Sequence, residues 1–161
     1  MLDKLKFNGA PVVVTGGGQG IGRSACETLA ELGAHVIVVS KTEANVRETE
    51  QILRDSGASC ESYVTDVSVK VEVDAMAADV AKNHDHVKAV INNAGTNFVK
   101  KLEELEEDDW HRIIAIDLSS VFYMCKAFLP MLRGVPGGGS IVNVASTFGI
   151  IGHPEMPVYC A

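Results

Sequence analysis

Short apolar runs alternate along this chain with segments of helical spacing, and this alternation limits the possible folds most. Residues 11–14 and 36–39 are unbroken apolar runs, and weaker strand patterns follow at 59–64, 87–91 and 140–145. Strands that are apolar on both faces are typical of a parallel sheet covered by helices on both sides. The chain is therefore predicted to form an α/β doubly wound parallel sheet in the order 3-2-1-4-5.

Helical patterns fill the segments between these runs. They predict helices over residues 20–32, 43–54 and 68–81 and a long one over about 108–132, with Ser68 as the N-cap of the third. Gly33 is expected to end the first helix. Because the alternation continues without a linker, residues 1–161 are interpreted as one domain.

Charge and hydropathy disfavour several classes of function. The formal net charge is −7 at pH 7, which disfavours nucleic acid as a partner because such proteins present basic surfaces. No apolar run is interpreted as long enough to span a bilayer, and residues 1–10 lack the apolar region of a secretory signal. A cytoplasmic protein without membrane or nucleic-acid partners is expected.

The potential metal ligands show no spacing typical of a metal site. His84 and His86 are interpreted as a solvated helix end, since two histidines without a third ligand do not make a zinc centre. The cysteines are expected to be reduced thiols, so no metal is predicted; they are Cys26, Cys60, Cys125 and Cys160.

A glycine-rich loop joins the first predicted strand to the first predicted helix. Its residues are Thr15, Gly16, Gly17, Gly18, Gln19, Gly20, Ile21 and Gly22. Such a loop lets backbone N–H groups and the positive end of the helix dipole approach a pyrophosphate. Placed between a strand and a helix, it favours a Rossmann-type dinucleotide site over a glycine turn that binds nothing.

The end of the second strand indicates which dinucleotide is bound. An acidic residue there would accept a hydrogen bond from the 2′-hydroxyl of NAD(H) and repel a 2′-phosphate. The sequence has Ser40 and Lys41 instead. These residues favour NADP(H), with NAD(H) possible, although Lys41 could equally be an ordinary solvated lysine.

Five motifs, in this order, resemble the signatures of the classical short-chain dehydrogenase/reductase family. They are the loop Thr15-Gly16-x-x-x-Gly20-x-Gly22, Asp66-Val67 after the third strand, Asn92-Asn93-Ala94-Gly95 after the fourth, Ser146 after the fifth, and Tyr159. The resemblance covers essentially the whole chain. It implies an oxidoreductase that transfers hydride between a nicotinamide dinucleotide and a small carbonyl or alcohol substrate.

The resemblance also implies roles for individual residues. Ser146 would hydrogen-bond the substrate oxygen, and Tyr159 would be the general acid in reduction and the base in oxidation. Asp66 and Val67 would contact the adenine ring, while the cofactor cleft near the ribose would be lined by Asn92, Ala94 and Gly95. Gln19 tempers the NADP(H) assignment, because phosphate-binding members often carry a basic residue there.

Two departures from the family pattern bear on function. The family's catalytic asparagine corresponds to Asp117, whose carboxylate cannot donate as an amide does, although its backbone carbonyl could still hold a water. The lysine of the YxxxK motif would fall two places beyond Ala161. The sequence is therefore interpreted as a partial one, incomplete on its C-terminal side and inactive by itself.

Two other functions and one assembly were also considered. A dinucleotide sensor without chemistry is disfavoured by Ser146 and Tyr159, and an S-adenosylmethionine methyltransferase by Ser40 and the Asn92–Gly95 motif. The candidates for the substrate site are Phe98, Phe148, His153 and Met156.

The long helix is predicted to help form a homo-oligomer. The residues expected at this interface are Ile113, Ile116, Val121, Met124 and Phe128.

Overall fold

A five-stranded parallel sheet forms the centre of the computed structural model, which describes residues 6–161. Its strands are β1 (Pro11–Thr15), β2 (His35–Ser40), β3 (Cys60–Val64), β4 (Ala89–Asn92) and β5 (Ser140–Asn143). Their order is β3-β2-β1-β4-β5, and each pair of neighbours is parallel. The predicted order is thereby confirmed, and the carboxyl ends of all five strands lie at one edge.

Helices cross from each strand to the next. They are α1 (Gly20–Glu31), α2 (Glu43–Asp55), α3 (Lys70–Asn83), α4 (Glu107–Ile113), α5 (Ser120–Arg133) and α6 (Pro157–Cys160), with short 3₁₀ turns at Leu102–Glu104 and Thr147–Gly149. The prediction that Ser68 is the N-cap of α3 is wrong, because Val69 occupies that position. Ser68 instead donates both its N–H and its hydroxyl to Asp66 Oδ1, at 3.0 and 2.6 Å.

The prediction for His84 at the other end of α3 is also wrong. His84 follows the last residue of the helix, but its side chain is only 18% exposed and its Nε2 lies 3.0 Å from Glu61 Oε1. It is therefore packed against β3 rather than solvated, because the chain turns back towards the sheet immediately after Asn83.

The long predicted helix is continuous from Glu107 to Arg133 but changes its winding. A π-helical segment, Ile114–Ser119, separates α4 from α5. This helix has 27 residues, and an 18-residue window of it has a mean hydropathy of 1.5 and is 22% buried, so it is long and apolar enough to cross a membrane by length and composition alone. The expectation that no apolar run reaches that length is wrong here; buried core helices of soluble proteins pass the same test.

The core consists of two apolar clusters, one on each face of the sheet. On one face, α3 and α5 cover alternate residues of the central strands, and Phe128, Val13 and Val90 belong to the same buried cluster. On the other face, α1 and α2 cover the intervening residues, and Leu29, Val12 and Val36 belong to the second buried cluster. Every residue of β1 is buried, as expected for a central strand apolar on both faces.

The two ends of this core differ in how well they are covered. All four residues of β5 are exposed, and Ile141, Val142 and Val144 are 41–48% exposed.

The prediction of a subunit interface on the long helix fails for three of its residues. These three, Ile113, Met124 and Phe128, are buried in the described chain. That prediction is wrong for these three, because they pack inward.

Candidate functional site

The glycine loop folds so tightly that two of its glycines, Gly16 and Gly22, cannot be replaced by residues with a side chain. Gly16 has a φ of +65°, which L side chains rarely adopt. A Cβ on Gly22 would lie 2.2 Å from the carbonyl oxygen of Gly16. The loop therefore presses against the first turn of α1 and presents the N–H groups of that turn to the crevice.

Thr15 joins this loop to the segment that follows β4. Its Oγ1 accepts hydrogen bonds from the backbone N–H groups of Asn93 and Ala94, both at 3.0 Å. The Asn93 side-chain amide donates in return to the Thr15 carbonyl, also at 3.0 Å. Asn93 is a site residue that was not predicted, although its position inside the Asn92–Gly95 motif was a usable signal.

A cleft of about 460 Å³ opens at the carboxyl ends of the strands. The structure brings eleven of the predicted cofactor residues to this cleft: Gly16, Gln19, Gly20, Ile21, Gly22, Ser40, Lys41, Asp66, Val67, Ala94 and Gly95. Thr42, Asn45, Thr65 and Arg112 also line it, and these were missed because nothing in their local pattern marks them.

The other three predicted residues do not line this cleft, although Asn92 lines the second cavity described below. Thr15 is buried. The Gly18 carbonyl accepts hydrogen bonds from the Arg23 guanidinium, the shorter at 2.7 Å. Asn92 is buried and its amide donates to Asn143 Oδ1 at 2.8 Å, joining β4 to β5. These three positions hold the loop and the strand ends in place.

The far end of the cleft carries one positive and one negative side chain. Burial opposes the ionisation of Asp66, but hydrogen bonds from Ser68 and the charge of Lys41 outweigh it and lower the pKa of Asp66. Asp66 is therefore an anion at neutral pH. Lys41 lines the same cleft, together with Ser40.

A second cavity, of about 640 Å³, adjoins the first and contains all three predicted catalytic residues, Asp117, Ser146 and Tyr159. The Ser146 Oγ caps the 3₁₀ turn after it by accepting from the Phe148 N–H at 3.2 Å. Tyr159 lies in α6, and the Phe148 ring packs edge-on against it with centroids 6.4 Å apart.

The four candidates for the substrate site do not line this cavity among the described residues. Phe148 packs against His153 and Tyr159 and therefore supports the site from outside, and Met156 is buried. The walls are formed instead by residues such as Ile114, Leu118 and Val121.

Asp117 lies in the π-helical segment and faces the cavity. Its Oδ1 accepts from the backbone N–H of Thr96 at 2.8 Å, while its Oδ2 is buried without a hydrogen-bond partner in the described chain. Burial raises the pKa of Asp117, and the Thr96 hydrogen bond only partly opposes this effect. The unpaired oxygen can accept a further hydrogen bond from a water or a ligand.

The two cavities form one continuous crevice, because both are lined by Ile21 and by the segment from Asn93 to Thr96. The crevice leads from Ser40 and Lys41, past the helix N-terminus, to Ser146 and Tyr159. A dinucleotide fits this shape, since its pyrophosphate would meet the glycine loop and its two ends would occupy the two cavities.

Comparison with known proteins supports this interpretation. A sequence profile for short chain dehydrogenases matches residues 10–161. A 3beta-hydroxysteroid dehydrogenase from Mediterraneibacter gnavus is 34% identical over 97% of this chain and 56% of its own length. Galactitol 2-dehydrogenase from Rhizobium johnstonii is 34% identical over 96% of this chain and 60% of its own length.

Solved structures show the same similarity in three dimensions. A short-chain dehydrogenase/reductase from Burkholderia phymatum in complex with NAD superimposes with a TM-score of 0.91 at 31% identity, over 96% of this chain and 55% of that one. A metagenomic short-chain oxidoreductase in complex with NADP gives 0.89 at 27%, over 94% and 69%. The chain spans little more than half the length of the curated relatives named above, and it belongs to the short-chain dehydrogenase family.

Proposed function

We propose that the full-length protein transfers hydride between NADP(H) and a small carbonyl or alcohol substrate. The observation that carries the proposal is that Ser146 and Tyr159 line one cavity that continues into the dinucleotide cleft. When bound, the nicotinamide supplies or accepts the hydride. The residues of this chain then have to bind the substrate oxygen and move its proton.

Ser146 would bind the substrate oxygen, and Tyr159 would transfer its proton. The Ser146 Oγ accepts from the Phe148 N–H, which leaves its own hydrogen to donate to the substrate oxygen, where negative charge develops during reduction. The Tyr159 hydroxyl gives a proton to that oxygen in reduction and takes it back in oxidation. A lysine four residues after Tyr159, as the family motif implies, would lower the pKa of this phenol.

The test of this chemistry uses two substitutions that each remove one group. Tyr159→Phe and Ser146→Ala are each expected to lower kcat by about 10²–10⁴-fold, while NADPH binding, followed by fluorescence, stays within about twofold. Tyr123→Phe removes a phenol hydroxyl from α5, outside both cavities, and serves as the matched control. Turnover that survives Tyr159→Phe would reject the assignment.

The preference for NADP(H) is supported by the end of β2. Ser40 and Lys41 line the cleft there with no carboxylate at the strand end, so a 2′-phosphate would meet a hydroxyl and a cation. The related structures contain either NAD or NADP, which is compatible with both cofactors.

The cofactor test compares kcat/KM for NADPH and NADH in the full-length protein. Lys41→Ala is expected to reduce the NADPH/NADH ratio about tenfold, since one charge-assisted contact would be lost. Lys82→Ala removes the same charge from the exposed end of α3 and should leave the ratio unchanged. A wild-type preference for NADH that Lys41→Ala does not alter would contradict the proposal.

A dinucleotide-binding module without catalysis is the second candidate. Asp117 favours it, because a carboxylate stands where the family has an amide and faces the same cavity. NADPH binding combined with no turnover on a broad panel of ketones and alcohols would support this alternative.

A further inference from the structure

Three potential metal ligands meet at the edge of the sheet opposite the cofactor crevice. His35 begins β2, Glu61 lies near the start of β3, and His84 follows α3. The His84 Nε2 lies 3.0 Å from Glu61 Oε1, and the His35 Nε2 lies 3.9 Å from the same oxygen. One ligand atom from each residue lies within 4.8 Å of the other two.

Hydrogen bonds within the protein satisfy Glu61 and His84 but leave one ring nitrogen of His35 without a partner. The His84–Glu61 contact is an ordinary hydrogen bond at 3.0 Å. The His35 Nε2, in contrast, is buried and has no hydrogen-bond partner among the described residues. A buried nitrogen without a partner costs free energy, and it points to something that can bind it.

A hydrogen bond at the other ring nitrogen of His35, Nδ1, leaves Nε2 free to bind a ligand. Its Nδ1 lies 2.6 Å from the Ser59 Oγ. When Nδ1–H donates to that oxygen, Nε2 carries the lone pair, which is the arrangement that metal-binding histidines use. Ser59 directly precedes β3, so it also holds the imidazole beside Glu61.

We propose that His35, Glu61 and His84 bind a Zn²⁺ ion. Two imidazoles and one carboxylate form a common zinc donor set with one position left for water. Zinc bonds of about 2.0–2.2 Å place tetrahedral ligand atoms roughly 3.4 Å apart, so the observed separations require only small side-chain movements. The side chains are 18–24% exposed, which leaves an approach for the water.

The ion would connect three separate elements rather than take part in hydride transfer. Its ligands lie at the amino ends of β2 and β3 and at the end of α3, whereas the crevice lies at the carboxyl ends of the strands. A ligand that binds only the folded state stabilises that state by mass action. Zinc is therefore expected to raise the Tm and to leave cofactor binding unchanged.

The experiment titrates the full-length, tag-free protein with ZnCl₂ after dialysis against a chelator. Calorimetry is expected to show one equivalent bound, with a rise in Tm. Glu61→Gln and His84→Gln should each weaken the affinity by at least about tenfold. His86→Gln, two residues from His84 but outside the cluster, should leave it unchanged.

Three results would overturn the proposed zinc site. They are no saturable Zn²⁺ binding by the wild type, Zn²⁺ binding by Glu61→Gln and His84→Gln that is as tight as that of the wild type, or a loss of affinity in His86→Gln that is as large as theirs. Should the ligand variants fail to fold, the wild type decides: Co²⁺ is expected to give the intense visible bands of a four-coordinate site, and Zn²⁺ to shift the ring-nitrogen NMR signals of His35 and His84 together. Signals that do not move on adding Zn²⁺ would reject the proposal.

Discussion

At the scale of single residues, the hydroxyl of Thr15 connects two loops that the cofactor would touch. It accepts two consecutive backbone N–H groups, those of Asn93 and Ala94. Thr15 itself is buried, so water cannot readily replace it as an acceptor. A residue with no contact to the cleft surface thus fixes the distance between the phosphate loop and the segment after β4.

We predict that Thr15→Val lowers the free energy of unfolding by about 1 kcal/mol, because it leaves two partly buried N–H groups without their acceptor. It should also weaken NADPH binding, since the two loops would no longer be held together. Denaturant titration and fluorescence measure the two effects. Thr15→Ser retains the hydroxyl and is the control; a Val variant as stable as the Ser variant would contradict the argument.

Asp117 gives a prediction with a defined pH dependence. Its pKa is raised in the folded state by burial, so the folded protein binds this proton more tightly than the unfolded chain does. Stability from this group therefore falls as the pH rises from the ordinary aspartate pKa through the raised value. Above the raised pKa, the folded state holds a carboxylate with one buried oxygen that has no partner in the described chain.

Asp117→Asn is accordingly expected to raise the free energy of unfolding at pH 7 by about 1 kcal/mol. The gain should shrink as the pH is lowered through the folded pKa, because the wild-type carboxyl then becomes neutral as well. Chemical denaturation at several pH values measures this difference. The exposed Asp85→Asn is the control, and a pH-independent difference at position 117 would count against the explanation.

At the scale of elements, the long helix from Glu107 to Arg133 presents an apolar stripe to solvent. Phe122 and Leu129 lie seven residues apart along one side and are 59% and 37% exposed, whereas the exposed Leu118, one turn earlier, also lines the second cavity. The buried Ile113, Met124 and Phe128 occupy the side that packs on the sheet. This exposed stripe, rather than the buried Ile113, Met124 and Phe128, is therefore the surface through which the proposed homo-oligomer would form.

Phe122→Glu is predicted to weaken self-association of the full-length protein by at least about tenfold, because a charge would replace a large apolar contact. Sedimentation velocity across a concentration series measures this change. Val71→Glu, at a position of α3 that is 73% exposed, introduces the same charge elsewhere and should have little effect. A wild type that remains monomeric at every concentration would refute the interface.

At the scale of the whole molecule, the sheet is well covered at β1 and β2 and poorly covered at β5. Ile141 and Val142 point to opposite faces of β5, and both are more than 40% exposed. An uncovered apolar edge strand of this kind promotes aggregation. The relatives named above are longer than this chain, which is compatible with further residues covering this side.

Residues 1–161 produced alone are therefore predicted to melt broadly, to aggregate and to lack turnover. Each apolar side chain left in water forgoes roughly 1.5–3 kcal/mol, against a typical total stability of about 5–15 kcal/mol. Calorimetry and an NADPH oxidation assay, run beside the full-length protein, test this. A monomeric 161-residue chain with a sharp transition and comparable turnover would show that the β5 edge needs no cover.

The sequence by itself determined the architecture of this protein. β1 and β2 are apolar on both faces, and such strands can be stable only in the interior of a parallel sheet, so the strand order followed. The glycine loop was equally predictable, because a local motif binds phosphate through its own backbone. Ser146 and Tyr159 were identified through their resemblance to the family's motifs, and the structure places both in one cavity.

Only the tertiary structure decided which residues from distant segments meet. His35, Glu61 and His84 have no local pattern in common, and parallel pairing of β2 with β3 brings them together. The π-helical segment keeps ordinary helical composition, so sequence periodicity does not reveal it. The long helix is apolar around most of its surface, and periodicity cannot then say which side faces the sheet; packing against α3 and β4 selected the side that carries Met124 and Phe128.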